Sequence, residues 1–132
     1  MKLHADRLDG QNAIARHGPG GVLVNQTEHT RPVIVPWQGP VLPWDVASFD
    51  TLAAAHFEPL LALKPQLVLF GSGARLRFPP PRLLAGLMAA RIGFEAMDTA
   101  AACRTYNVLL AEGREVVAAL LFDPAPGRDA PR

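Results

Sequence analysis

The chain has 132 residues, of which 49% are hydrophobic and 19% charged; this balance excludes a disordered chain and suits one globular domain. Lys and Arg number 13 against 12 Asp and Glu, for a formal net charge of +1, and no two basic residues are adjacent, so the concentrated positive field needed for nucleic acid is missing. The one cysteine excludes an internal disulfide, and the longest strongly apolar run, from Val116 to Phe122, is far below the ~20 residues of a membrane-spanning helix.

The N-terminus lacks the apolar stretch of a secretory signal, so a cytoplasmic chain is expected. Ala13 to Arg16 and Val22 to Val24 flank His17-Gly18-Pro19-Gly20-Gly21, which reads as a β-hairpin. A second hairpin joins Pro32–Val35 to Val41–Trp44 around Pro36 to Pro40, and its prolines suggest edge strands. From Ser48 the period becomes helical. Ser48, Asp50 and Thr51 are possible caps, Pro59 must begin a new turn, and Lys64-Pro65 ends the helix.

Leu67 to Phe70 is an apolar run of strand length, suited to a central strand covered on both faces. Leu83, Leu84, Leu87 and Met88 form an apolar helical stripe, with Gly93 expected in the left-handed position behind it. Phe94 to Met97 is a short strand. Asp98 or Thr99 caps a helix running to about Ala111, with Cys103, Tyr106, Leu109 and Leu110 on one face and Gly113 at its end. Glu115 to Phe122 is the final strand. Residues 1–122 thus read as a single α/β domain with a mainly parallel sheet, and residues 123–132 as a disordered tail.

Gly71-Ser72-Gly73 follows the buried strand, where α/β sheets place ligands. Its amides suit an anion, helped by Arg75 or Arg77; a tight turn needing glycine is the simpler reading. The helix start at Asp98 and Thr99, with Arg104 and Asn107 further along, suggests a small polar site facing Ser72. Capping by Asp98, packing by the alanines and solvation of Arg104 explain the same residues without a ligand. Cys103 reads as an ordinary buried thiol. No histidine spacing suggests a metal, no dinucleotide fingerprint or other cofactor motif is present, and no catalytic residue is assigned. Trp37 and Trp44 are candidates for a partner-binding patch or, equally, for covers over the core.

Leu67-Val68-Leu69-Phe70-Gly71-Ser72-Gly73, succeeded by Gly93-Phe94-Glu95-Ala96-Met97-Asp98-Thr99, Ala102, Tyr106-Asn107 and Glu112-Gly113-Arg114-Glu115-Val116, resembles a small family first seen in a methanogenic archaeon. That family is similar to a mitochondrial assembly factor for NADH:ubiquinone oxidoreductase, the third of the alpha-subcomplex factors, and to a human adipogenesis-associated domain. The resemblance implies a three-layer α/β sandwich with a mixed central sheet, helices on its faces and an added N-terminal antiparallel β-hairpin layer. It also implies a last strand running against the others, and it carries over no catalytic residue. The family's glycine-flanked position is usually threonine, where Ser72 stands here.

Three functions compete, the first preferred and the other two alternatives to it. The first is a non-enzymatic assembly or chaperone-like module with a protein partner, reaching membranes only through that partner. The second is a small-molecule or anion-binding protein, or an enzyme, that uses the crevice between Gly71-Ser72-Gly73 and the Asp98 helix. The third is a homo-oligomer formed through the hairpin edge.

Overall fold

The computed structural model describes residues 10–123. Its centre is a five-stranded sheet of order β5-β4-β8-β6-β7, built from β4 (Val33–Pro36), β5 (Leu42–Pro43), β6 (Leu67–Ser72), β7 (Gly93–Met97) and β8 (Val116–Leu121). A second, antiparallel sheet holds β1 (Ile14–Gly18), β2 (Gly21–Val24) and β3 (Thr27–His29). The helices are α1 (Glu58–Leu63), α2 (Ala85–Ala89) and α3 (Thr99–Ala111), with three short 3-10 turns before α1 and α2.

Alternation along the strands creates two cores. Val116, Ala118 and Leu120 of β8 face one side, together with Leu69, Cys103, Tyr106 and the hairpin residues Ile14, Val22 and Val24. Val117, Ala119 and Leu121 face the other, with Val68, Phe70, Trp44, Phe57, Leu60 and Leu87. Every residue of β8 is buried, as the doubly covered position between β4 and β6 requires. The result is the expected three-layer α/β sandwich with a mixed sheet and an added hairpin layer.

Several local expectations are corrected. The last strand runs parallel to β6 and antiparallel only to β4; β4 is the reversed strand of the sheet. β4 is also not an edge, because only its Pro36 end lacks a donor and that proline pairs with Val117 at the strand terminus. The helix expected from Ser48 is two 3-10 turns, Phe49–Thr51 and Ala54–Phe57, before α1 begins with Pro59 in its first turn. Met88 is exposed although Leu83 and Leu87 are buried, because α2 has only five residues and a turn of 3-10 geometry precedes it. The left-handed residue after α2 is Arg91, at φ 61°, and Gly93 already belongs to β7. Strand β3 was not expected. Its Thr27-Glu28-His29 is too short and polar to carry a pattern. The expected disordered tail lies outside the described residues apart from Asp123.

Candidate functional site

The polypeptide leaving β6 turns to the face packed by α2, whereas that leaving β7 enters α3 on the opposite face. The carboxyl ends of two neighbouring strands whose connections diverge form a crevice, the place where open α/β sheets bind ligands. A cavity of about 260 Å³ lies here, lined by Gly73, Ala74, Asp98, Thr99 and Ala100 and overhung by Gly18 and Pro19 of the first hairpin.

Its floor is a hydrogen-bonded junction. The Thr99 hydroxyl donates to the Leu121 carbonyl at 2.6 Å and accepts the Gly73 N–H at 2.8 Å, while the Thr99 N–H donates to the Gly73 carbonyl at 2.9 Å. One side chain therefore joins the ends of β6 and β8 to the start of α3. Such contact requires a glycine at 71. A Cβ there would stand 2.9 Å from Thr99 Oγ1 and 3.0 Å from its Cα. Asp98 caps α3 by accepting the Ala101 N–H at 2.9 Å.

Ser72 is fully buried beneath this junction. Its hydroxyl donates to the Arg75 carbonyl at 2.7 Å, with the Met97 carbonyl at 3.2 Å, and accepts the Arg77 N–H at 2.9 Å. Arg77 then returns its guanidinium to the Ser72 carbonyl at 2.9 Å, 4.6 Å above the Phe49 ring and 3.9 Å from Asp123. Asp123 also accepts the Ala74 N–H.

The structure thus brings Gly71, Gly73, Asp98 and Thr99 together, with Ser72 directly behind them. It does not add Arg104 and Asn107 to that group. Arg104 is exposed, and Asn107 is committed to the hairpin layer, its amide exchanging two hydrogen bonds with the backbone of Ile14. Trp44 is buried, donates its indole N–H to the His56 carbonyl at 2.8 Å and packs edge-on against Phe57 and Phe70. Trp37 is half-buried and touches both cores.

Cys103 is completely buried in the core that contains α3, across the sheet from the His56 turn. Loss of solvation pushes its thiol up to about 12 against a small opposing effect from Arg104, so it is not a nucleophile near neutrality. Among the described residues no group of three or more His, Cys, Asp or Glu side chains is placed to hold a metal.

A further polar cluster had no signal in the sequence. The Tyr106 hydroxyl lies 2.6 Å from the Asn12 carbonyl and 2.9 Å from that of Pro36, and burial pushes its phenol up. The Asn12 amide donates to Pro36 and Gly39 and accepts from Asn25. Polar atoms so far apart in sequence give no spacing to read.

The profile of a family described as proteins of unknown function, DUF498/DUF598, matches residues 14–121. The chain belongs to this family. An uncharacterised protein of Rhodobacter capsulatus is 39% identical over 89% of both chains. The 13 kDa major membrane protein of Francisella tularensis is 25% identical over 88% of this chain and 95% of its own length. NADH dehydrogenase (ubiquinone) 1 alpha subcomplex assembly factor 3 of Bos taurus is 35% identical over 68% of this chain. The match spans 49% of that factor, so the chain covers about half of it. A crystal structure from Bordetella parapertussis superposes with a TM-score of 0.82 at 37% identity, over 89% of this chain and all of that one. A Bordetella pertussis protein described as an Mth938-like domain gives a TM-score of 0.80 at 31% identity over the full length of both. The likeness to these solved structures agrees with the three-layer architecture. No helix among the described residues is long and apolar enough to cross a membrane.

Proposed function

We propose that the chain is a non-enzymatic docking module that assists assembly of a membrane-associated respiratory complex, working from the cytoplasm and engaging a protein partner. The observation that carries this reading is the 35% identity to assembly factor 3 over 68% of the chain. The site chemistry points the same way. Ser72, Thr99 and Asn107 make their side-chain hydrogen bonds inside the fold, and Asp98 caps α3. Cys103 is buried across the sheet from the His56 turn, and loss of solvation favours its protonated thiol. We assign partner contact to the half-buried Trp37 and to the crevice beside Asp98 and Thr99, whose walls suit an inserted side chain. Trp44 is a core residue and has no part in it.

Affinity purification from native membranes tests the reading. The expected result is stoichiometric recovery of subunits of a respiratory complex, lost when Trp37 is replaced by alanine. Recovery of the chain alone, under conditions that keep that complex intact, would sink the proposal.

A further inference from the structure

The loop after β6 displays a feature that the crevice does not use. Residues 76–80 run without helix or strand between the bend at Gly73–Arg75 and the 3-10 turn at Pro81. Arg77 turns inward, held by Ser72, Phe49 and Asp123. Leu76 and Phe78, on either side of it, remain 49% and 70% exposed. The segment is fixed in this arrangement. The Ser72 hydroxyl grips the backbone of both Arg75 and Arg77, Pro79 is buried, and the three consecutive prolines from Pro79 to Pro81 stiffen the backbone beyond Phe78. A single exposed apolar residue is ordinary, but here two stand on either side of an inward-facing arginine.

Charge accompanies this apolar pair. Between Pro59 and Phe94 there is no Asp or Glu, while Lys64, Arg75, Arg77, Arg82 and Arg91 all fall in that stretch. Arg75 and Arg82, which bracket the loop, are exposed, and neither is ion-paired among the described residues. Glu58 shares a cavity with Arg82, and Asp123, which accepts the Ala74 N–H, lies against the inward-facing Arg77.

We propose that Leu76 and Phe78 form an insertion point for an anionic lipid surface, with Arg75 and Arg82 set against its phosphate groups. Two protruding side chains supply far less than the roughly 800 Å² per partner of a stable protein interface. A bilayer needs no matching groove: it takes up whatever apolar group protrudes and attracts the cations beside it. This inference goes beyond the assembly reading and stands without it.

Sedimentation of the full chain with vesicles tests it, using phosphatidylcholine alone and phosphatidylcholine containing about one-third phosphatidylglycerol. Binding to the anionic vesicles only, weakened by salt, is expected. Phe78→Ser and Leu76→Ser should each weaken it about tenfold, and Arg75→Gln with Arg82→Gln tenfold or more. All four side chains are exposed or half-exposed, so thermal melting by circular dichroism should match the parent chain. Absence of binding, equal binding to both vesicle types, or full binding by both serine variants would overturn the proposal. So would capture on immobilised polyglutamate without vesicle binding, which would assign the patch to an acidic protein.

Discussion

Asn107 and Ile14 lie 93 positions apart in the sequence, yet they pair as two residues of neighbouring strands do. The Ile14 N–H donates to Asn107 Oδ1 at 3.0 Å, and Asn107 Nδ2 donates back to the Ile14 carbonyl at 2.8 Å. A primary amide presents the same donor and acceptor as a peptide group, so a helix residue here extends the edge of β1. This reciprocal pair ties the hairpin layer to α3.

Replacing Asn107 with leucine removes both partners and leaves the backbone of a buried residue unpaired. The expected loss is about 2–3 kcal/mol, measured by urea unfolding. Asn107→Asp keeps the acceptor and should cost less. A leucine variant as stable as the parent would show that water replaces the amide without loss.

Gly71→Ala and Thr99→Val should each destabilise, for linked reasons. The alanine methyl meets Thr99 at 2.9–3.0 Å, an overpacking cost of about 1–3 kcal/mol. The valine leaves the Gly73 N–H and the Leu121 carbonyl without the hydroxyl, about 2 kcal/mol. Because both changes strike the same junction, the double variant should be less damaged than the sum of the two. Strict additivity in a double-mutant cycle would argue against a shared junction.

The two tryptophans separate cleanly. Trp44→Ala should cost about 3–5 kcal/mol through the cavity it leaves, whereas Trp44→Phe removes chiefly the bond to the His56 carbonyl and should cost about 1 kcal/mol. Trp37→Ala should be milder than Trp44→Ala. Denaturant midpoints of the three variants give the comparison, and a Trp37 variant as damaged as Trp44→Ala would make both rings core residues.

Cys103 should resist alkylation by iodoacetamide in the native state at pH 8 and react freely in denaturant. Its ordinary value is 9.0, and the folded protein raises it to about 12. Between those values the unfolded chain has lost a proton that the native chain keeps. Stability attributable to this thiol is therefore present below pH 9 and declines as pH rises towards 12; buried Tyr106 acts in the same direction from a higher starting point. Cys103→Ala should flatten the part of the decline that begins near pH 9, and an unchanged slope would contradict the assignment.

The elements legible in the sequence were those whose pattern is local. The run Leu67–Phe70 is apolar on both faces because β6 is covered on both. Asp98 precedes a helical period and caps it. Pro59 could only begin a turn. Direction and neighbours were not legible, because Val116 to Leu121 reads the same whether it runs with β6 or against it. The helix expected from Ser48 failed because the backbone is extended at Leu52 and Ala53, which separates two 3-10 turns before Pro59 opens α1. At the crevice, glycine and threonine suggested a ligand cradle. The same residue types serve where a helix must approach a strand within contact distance, and only the Thr99 bonds to Gly73 and Leu121 distinguish the two uses. Arg77 reads in the sequence as a helper for an anion at the glycine turn; its inward turn depends on Phe49 and Asp123, which no spacing connects to it.

The placement of β8 between β4 and β6 has a consequence for synthesis. During translation β4, β5, β6 and β7 are all available before β8 emerges, yet β4 and β6 share no edge without it. Until then the two halves of the central sheet expose bare strand edges and the apolar flanks that β8 later covers. The nascent protein therefore closes late and all at once, and a ribosome stalled a few codons before Val116 would present a sticky, unfinished chain to the cell's chaperones.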